Sequence, residues 1–378
     1  MKPDSICPEC AARGLLLAAL AGHISTVVDR SAGRRARDLL ALADEELAAA
    51  VTPTAAAAEE ALAHSRDHGV LRALARRLEA NGCWMLCRHD RQWPGALNRL
   101  GAAEPRAIYG RGDPALPAAA DPVTIVGARR AGAYGREVAE GLGYGLGAAG
   151  ALVVSGLALG IDSAAHLGTA RAGAAGLAVL AAGAERAYPR SAAGVYRELI
   201  SAGGAVVSEL PPGAAVRRWM FPARNRLMAA LGELTVVVEA AERSGSLITA
   251  EMAGDCGRVV AAVPGPVNSW RSSGTNHLLV DGATPIRGAA DVLEHLHGPG
   301  AGAAAAVMRG PALGAEERAV LDAVERGCHN ADAVAGELGL GAGPCAAALA
   351  RLELAGYLEA DFAGSYTRTL LERPVQRP

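Results

Sequence analysis

The chain has 378 residues, 51% hydrophobic and 20% charged, a globular composition long enough for two or three domains. Its 37 Lys and Arg stand against 39 Asp and Glu, so the formal net charge is -2 and no global field draws the protein onto nucleic acid; any such site must be a local basic patch. The aliphatic runs, such as Leu15 to Leu20, are too short to span a bilayer, and 7 scattered cysteines argue against a disulfide framework, so a cytoplasmic protein is expected.

Near the start, Cys7-Pro-Glu-Cys10 has the spacing of a metal knuckle or redox pair. No second pair follows it, and a fortuitous terminal pair is expected. Residues 11–80 are rich in Ala and Leu with charges at helical spacing, as from Arg37 to Leu47 and from Val70 to Leu78, which predicts a small helical domain over 1–80. Within it Thr52-Pro-Thr54 predicts a break and a new helix start, and Arg34 and Arg35 are expected on a solvated helix face. Cys83, Cys87 and His89 lack a fourth ligand beside what reads as a strand edge, so structural thiols and no metal are expected.

From Asn81 short extended segments, Trp84 to Cys87 and Ala107 to Tyr109, are punctuated by Pro and Gly and predict an entry subdomain; Pro114 to Pro122 reads as a linker. A regular alternation follows. Strands are expected at Val123 to Val126, Leu152 to Val154, Leu177 to Ala181, Ala205 to Val207, Leu234 to Glu239 and Arg258 to Val263, with helices between them. Continuous β-branched runs alternating with amphipathic helices predict an α/β fold with a doubly wound, Rossmann-like parallel sheet, the domain spanning 81–297.

Ligands of such a sheet sit beyond the carboxyl ends of its strands, and the loops there are rich in glycine: Gly127 to Gly135, Ser155 to Asp162, Gly183 to Pro189, Ser208 to Pro212, Glu239 to Thr249 and Pro264 to Thr275. Ser244-Gly245-Ser246 leads into an expected helix and has the makings of an oxygen-binding nest. The stretch from Arg217 to Met228 sets four arginines and two aromatic rings before a strand, in a chain with only 2 Phe and 4 Trp. Arginine forks suit phosphate and an exposed ring suits a stacked base, so Arg218, Phe221, Arg224 and Asn225 are expected to meet single-stranded nucleic acid at the rim. The bland alternative makes the arginines solvated and Phe221 a core plug.

Residues 298–311 form an Ala- and Gly-rich linker, and 312–373 read as three short helices and a hairpin, a winged-helix module. Its third helix carries Arg351 beside Glu353 and many alanines, which suits protein contact at least as well as base reading.

With its loops in sequence the chain resembles the DNA-processing protein A (DprA/Smf) family from about Trp84 onward. The motifs are Val126-Gly-Ala-Arg129, Ser155 to His166, Tyr188-Pro189, Ser208-Glu209, Phe221-Pro-Ala-Arg-Asn-Arg226, Glu239 to Ala250 and Val263-Pro-Gly265. The resemblance implies a homodimer with an extended Rossmann fold that binds single-stranded DNA, protects it and loads the RecA recombinase onto it in natural transformation, without cofactor or turnover. It implies a pocket lined by Arg129, Arg218, Phe221, Arg224 and Asn225, with Gly127 and Gly245 allowing close backbone approach. Ala128 stands where the family commonly has a small hydroxyl residue.

The rival reading is a nucleotide-cleaving phosphoribohydrolase-like enzyme on the same frame. Asp162, His166, Glu209, Glu239 and Glu251 are its candidate acids and bases by type, although capping and loop tethering suit each of them better. A dinucleotide oxidoreductase is disfavoured, because Gly127 to Gly135 lacks the G-x-G-x-x-G spacing.

Overall fold

The computed structural model describes residues 6–30, 35–369 and 371–373; Arg34 and the side chain of Arg35 lie outside what it describes. The chain divides into two compact units, Met1–Ala305 and Ala306–Pro378.

The first unit is built on a nine-stranded sheet. Its strands are β1 (Trp84–Cys87), β2 (Ala107–Gly112), β3 (Pro122–Val126), β4 (Leu152–Ser155), β5 (Gly176–Val179), β6 (Ala205–Ser208), β7 (Leu234–Val237), β8 (Val259–Ala262) and β9 (Thr284–Pro285), in the order β1-β2-β6-β5-β4-β3-β7-β8-β9. From β6 to β9 every pairing is parallel. Burial follows the strand period of two: Val123, Val153 and Val236 enter one core and Val126, Val154 and Val237 another, so helices cover both faces.

The segments expected as an entry subdomain attached to the sheet domain add two strands to the edge of its sheet. β2 lies antiparallel to β6, with Tyr109 opposite Ser208, and β1 lies antiparallel to β2. Short strands punctuated by Pro and Gly carry no signal for which edge they join, so the sequence pattern leaves this pairing open.

Six helices, Pro8–Ala19, Ala21–Asp29, Arg35–Ala41, Asp44–Val51, Ala55–Arg66 and His68–Ala80, precede the sheet. Their break is capped by Thr54, whose hydroxyl accepts from the Ala57 N–H at 3.2 Å. Leu16, Leu17, Ile24 and Leu47 share one core with Leu210, Trp219 and Met220, so the helical layer packs onto the carboxyl-end loops of the sheet. Buried Asp44 accepts from Arg13 at 2.8 Å and from Arg106 at 3.0 Å, fixing the same layer through a paired charge. Among the described residues no single helix is long and apolar enough to cross a membrane.

In the second unit, helices Ala315–Glu325, Ala331–Leu338 and Ala342–Leu354 close around Val320, Leu321, Leu349 and Leu352, and Leu358–Ala360 pairs antiparallel with Tyr366–Arg368 as the wing. Arg351 is ion-paired within the module, to Glu317 at 2.7 Å and Glu316 at 3.1 Å.

Candidate nucleic-acid interface

The chain runs from β3 through β4 and β5 to β6 on one side, then returns to β7 on the other flank of β3. The loops after β3 and β7 therefore diverge and leave a crevice at their carboxyl ends. A cavity of about 410 Å³ lies there, lined by Gly127 and Arg129 after β3, Ala158 and Asp162 after β4, and Ser244 to Ser246 after β7. The helix Met220–Leu231 runs back down the sheet into β7, so its first two turns stand at this rim and add Phe221, Arg224 and Asn225. A second cavity of about 320 Å³ shares Arg129, Ala158, Phe221 and Arg224 with the first and adds Leu159, Tyr188 and Pro189.

The four arginines of the 217–226 stretch divide by burial. Arg217 and Arg218 are exposed, and among the described residues neither has an ion-pair partner. Arg218 stays outside both cavity linings. Arg224 is buried: its Nη1 donates to the Gly156 carbonyl at 2.7 Å and to the Val179 carbonyl, and its Nε to Asn225 Oδ1 at 3.2 Å. Burial pushes this guanidinium down to about 10, a drop that nearby Asp162 opposes, so it stays cationic at neutral pH. Gly156 leaves room for this guanidinium: a Cβ on it would lie 2.2 Å from Arg224 Nη1 and would displace it. Arg226 is almost fully enclosed, donating to Glu209 at 2.7 Å, to the Ala103 carbonyl at 3.0 Å and to the Ala223 carbonyl at 2.7 Å.

The aromatics divide likewise. Trp219 is buried and donates from Nε1 to the Ala21 carbonyl at 3.0 Å, so its ring anchors the helical layer. Phe221 is half-buried against that core, yet its ring also lines both cavities. The Arg129 guanidinium carbon lies 5.1 Å from its centroid, and the Tyr188 ring centroid lies 5.7 Å away at 47°. The ring therefore lies partly in the core and partly on the cavity walls. Arg129 is exposed and, among the described residues, has no carboxylate in ion-pair range.

The two loop glycines differ in what surrounds them. A Cβ on Gly127 would lie 2.5 Å from Ile161 Cγ1 and 2.9 Å from the Glu239 carbonyl, so the chain's own packing accounts for that glycine. Gly245 faces open space at the amino end of the helix Gly245–Asp255. Ser244 caps that helix: its Oγ accepts from the Ser246 N–H at 3.4 Å and lies 2.8 Å from Ser246 Oγ. The exposed amide ends and the helix dipole there favour an anion. Asn225 leans over the same turn, with Nδ2 3.5 Å from the Gly245 carbonyl.

Most of the acids serve as tethers. Glu239 Oε1 accepts from the Gly132 N–H at 2.9 Å and its carbonyl from Ala128 at 2.7 Å, holding the loop after β3. Buried Asp162 accepts from the Ala158 N–H at 3.3 Å; burial pushes its carboxyl up, against the pull of Arg224. Burial holds His166 neutral, down at about 4. Glu209 pairs with Arg226, and Glu251 is exposed.

Two rim aromatics were missed. Tyr188 lies tilted against Phe221, and the ring of Trp270, exposed on the loop after β8, has its centroid 4.8 Å from the Arg271 guanidinium carbon. Both stand on loops already predicted to face ligand, and an aromatic on a solvent-facing loop was the available signal.

Residues 84–297 match the family described as DNA recombination-mediator protein A, and residues 304–361 match the DprA winged helix domain. The putative DNA processing protein DprA of Mycobacterium tuberculosis is 38% identical over 288 residues, covering 71% of this chain and 73% of the relative. DprA of Bacillus subtilis is 36% identical over 192 residues, covering 51% and 64%. Among solved structures, DNA processing protein A of Streptococcus pneumoniae superposes with a TM-score of 0.57 at 30% identity, covering 74% of this chain and 92% of the other. The Helicobacter pylori protein, described for its single-stranded DNA binding mode, superposes with a TM-score of 0.51 at 28% identity, covering 57% and 95%.

Proposed function

The chain belongs to the DNA-processing protein A (DprA/Smf) family, and from that premise we propose that it binds single-stranded DNA along the carboxyl-end rim of its sheet. The observation that carries the reading is the cluster of Arg129, Phe221 and Tyr188: Arg129 and Phe221 stand in the wall common to the two cavities, and Tyr188 lines the second beside them. A strand crossing this rim sets phosphates against Arg129, Arg218 and the amide end at Gly245 and Ser246, and lays bases against Phe221 and Tyr188. Arg224 contributes fixed positive charge from beneath, held by Gly156 and Val179, and Asn225 lines the crossing. Backbone charge and ring faces are common to all sequences, so affinity is salt-dependent and nearly indifferent to base order. The single-stranded DNA binding of the Helicobacter pylori relative supports this choice.

The finer reading rests on family membership. The protein acts in the cytoplasm as a homodimer, protects incoming strands during natural transformation and passes them to RecA, binding without turnover. Titrating a labelled oligonucleotide against mononucleotides tests the first step, with tight binding expected only for the oligonucleotide. Pull-down of RecA with and without the strand tests the second. Equal affinity for a mononucleotide, or its cleavage, would instead favour the phosphoribohydrolase-like alternative.

A further inference from the structure

The two incomplete ligand sets of the sequence, Cys7 with Cys10 and Cys87 with His89, come together in the fold. Their ligand atoms all lie within 4.8 Å of one another. His89 Nδ1 is 3.5 Å from both Cys7 Sγ and Cys10 Sγ. Each set reads as short of four ligands in the sequence for a topological reason: the partners lie about eighty residues apart and meet because the helix Pro8–Ala19 packs against β1 and β2. Cys83 belongs to the core beside them and is not part of the cluster.

We propose that Cys7, Cys10, Cys87 and His89 form a structural zinc site that clamps the amino-terminal helix onto the edge strand of the sheet. Zinc holds thiolate at about 2.3 Å and imidazole at about 2.0–2.1 Å in a tetrahedron, which places neighbouring ligand atoms roughly 3.5–3.8 Å apart, so the observed cluster needs only small shifts. The local structure suits such a set. Cys7 is the N-cap of its helix and Cys10 stands one turn on, so one helix start presents both sulfurs. Cys87 ends β1, and Asp90 accepts from its N–H at 2.6 Å while the Asp90 N–H returns to the Cys87 carbonyl at 2.8 Å, a turn that presents His89 beside it. Cys10 and Cys87 are buried, Cys7 is half-buried and His89 is exposed, a graded wall that shields the sulfurs and leaves one side for metal entry. Three thiolates and one imidazole complete four-coordination with no place for water, which marks a structural rather than a catalytic centre. Arg88 and Glu9, the residues between the ligands of each pair, are themselves 3.5 Å apart and tie the same two segments. Binding displaces the three thiol protons and adds its free energy to folding.

The test uses the full chain purified under reducing conditions without chelator. About one zinc per chain is expected by mass spectrometry of the native protein. Cobalt(II) added to metal-stripped protein should give thiolate-to-cobalt charge transfer with tetrahedral ligand-field bands, and a strong chelator should lower the unfolding temperature. The exposed His89→Ala variant should weaken retention at least about tenfold. Cys87→Ser should abolish it, and Cys83→Ser and Cys256→Ser should leave it intact. Wild-type protein that stays metal-free and gives no thiolate–cobalt bands overturns the proposal, even if the buried Cys87→Ser variant fails to fold. A Cys7–Cys10 disulfide formed in preference to metal binding overturns it as well.

Discussion

The guanidinium carbon of Arg129 lies 5.1 Å from the centroid of the Phe221 ring, joining the loop after β3 to the first turn of the helix that leads into β7. The ring restrains an arginine with no carboxylate partner among the described residues, and it spans the crevice at which the strand order reverses. The charge is held in place without being neutralised, the arrangement a phosphate contact requires.

Arg129 and Phe221 should therefore act as one unit. Each single change to Ala is expected to weaken oligonucleotide binding, Phe221→Ala by roughly 1–3 kcal/mol. The double variant should lose less than the sum, with a coupling of about 0.5–1 kcal/mol. A double-mutant cycle by fluorescence anisotropy measures it; strict additivity would separate the two residues. Because Phe221 is only half-buried, its truncation should cost less folding stability than the about 3–5 kcal/mol of a fully buried ring.

Arg226 should behave as a folding residue. Removing it strands Glu209 and leaves the Ala103 carbonyl without this donor, so Arg226→Ala should lose about 3–5 kcal/mol of stability by denaturant unfolding. Arg226→Lys should not restore it, because one ammonium cannot reproduce the three-way fork. A stable Arg226→Ala variant with impaired DNA binding would move this residue into the site.

His166 should set part of the acid limit of stability. Its folded value, about 4, lies below its ordinary 6.5, so the unfolded chain binds the proton more tightly. Stability is complete above pH about 6.5 and falls as pH drops toward 4, by on the order of 3 kcal/mol for a full shift of this size. Thermal unfolding of wild type against His166→Asn across this window should show a flatter acid limb in the variant. Parallel curves would contradict the assignment.

A chain ending at Ala305 should keep most of its affinity for single strands. The third helix of the second unit has its Arg351 committed to Glu316 and Glu317, and Arg326, Arg368 and Arg373 also pair with carboxylates. Loss of most of the affinity in a folded truncation would make the module a DNA reader.

The alternating frame was legible because buried parallel strands are continuous β-branched runs, as at Val123 to Val126 and Leu234 to Val237. The rim followed from where the glycine loops fall on that frame. Burial within the arginine stretch was not legible: Arg218, Arg224 and Arg226 look alike in sequence, and only packing commits the latter two to carbonyls and Glu209. The packing demand on Gly127 was not legible either, because a glycine needed by Ile161 looks the same in sequence as one needed by a ligand. The Cys–His cluster was hidden by its long sequence separation, since ligand spacing is readable only when both halves are local.

The most direct measurement is the salt dependence of oligonucleotide binding by the Arg129→Ala/Arg218→Ala double variant, taken beside thermal unfolding of the same protein. Both side chains are exposed, so the fold should survive, affinity should fall, and the log–log salt slope should flatten by about 1.4, or about 0.7 for each lost phosphate contact. Wild-type affinity and slope in the folded double variant would contradict the assignment of this rim as the DNA site.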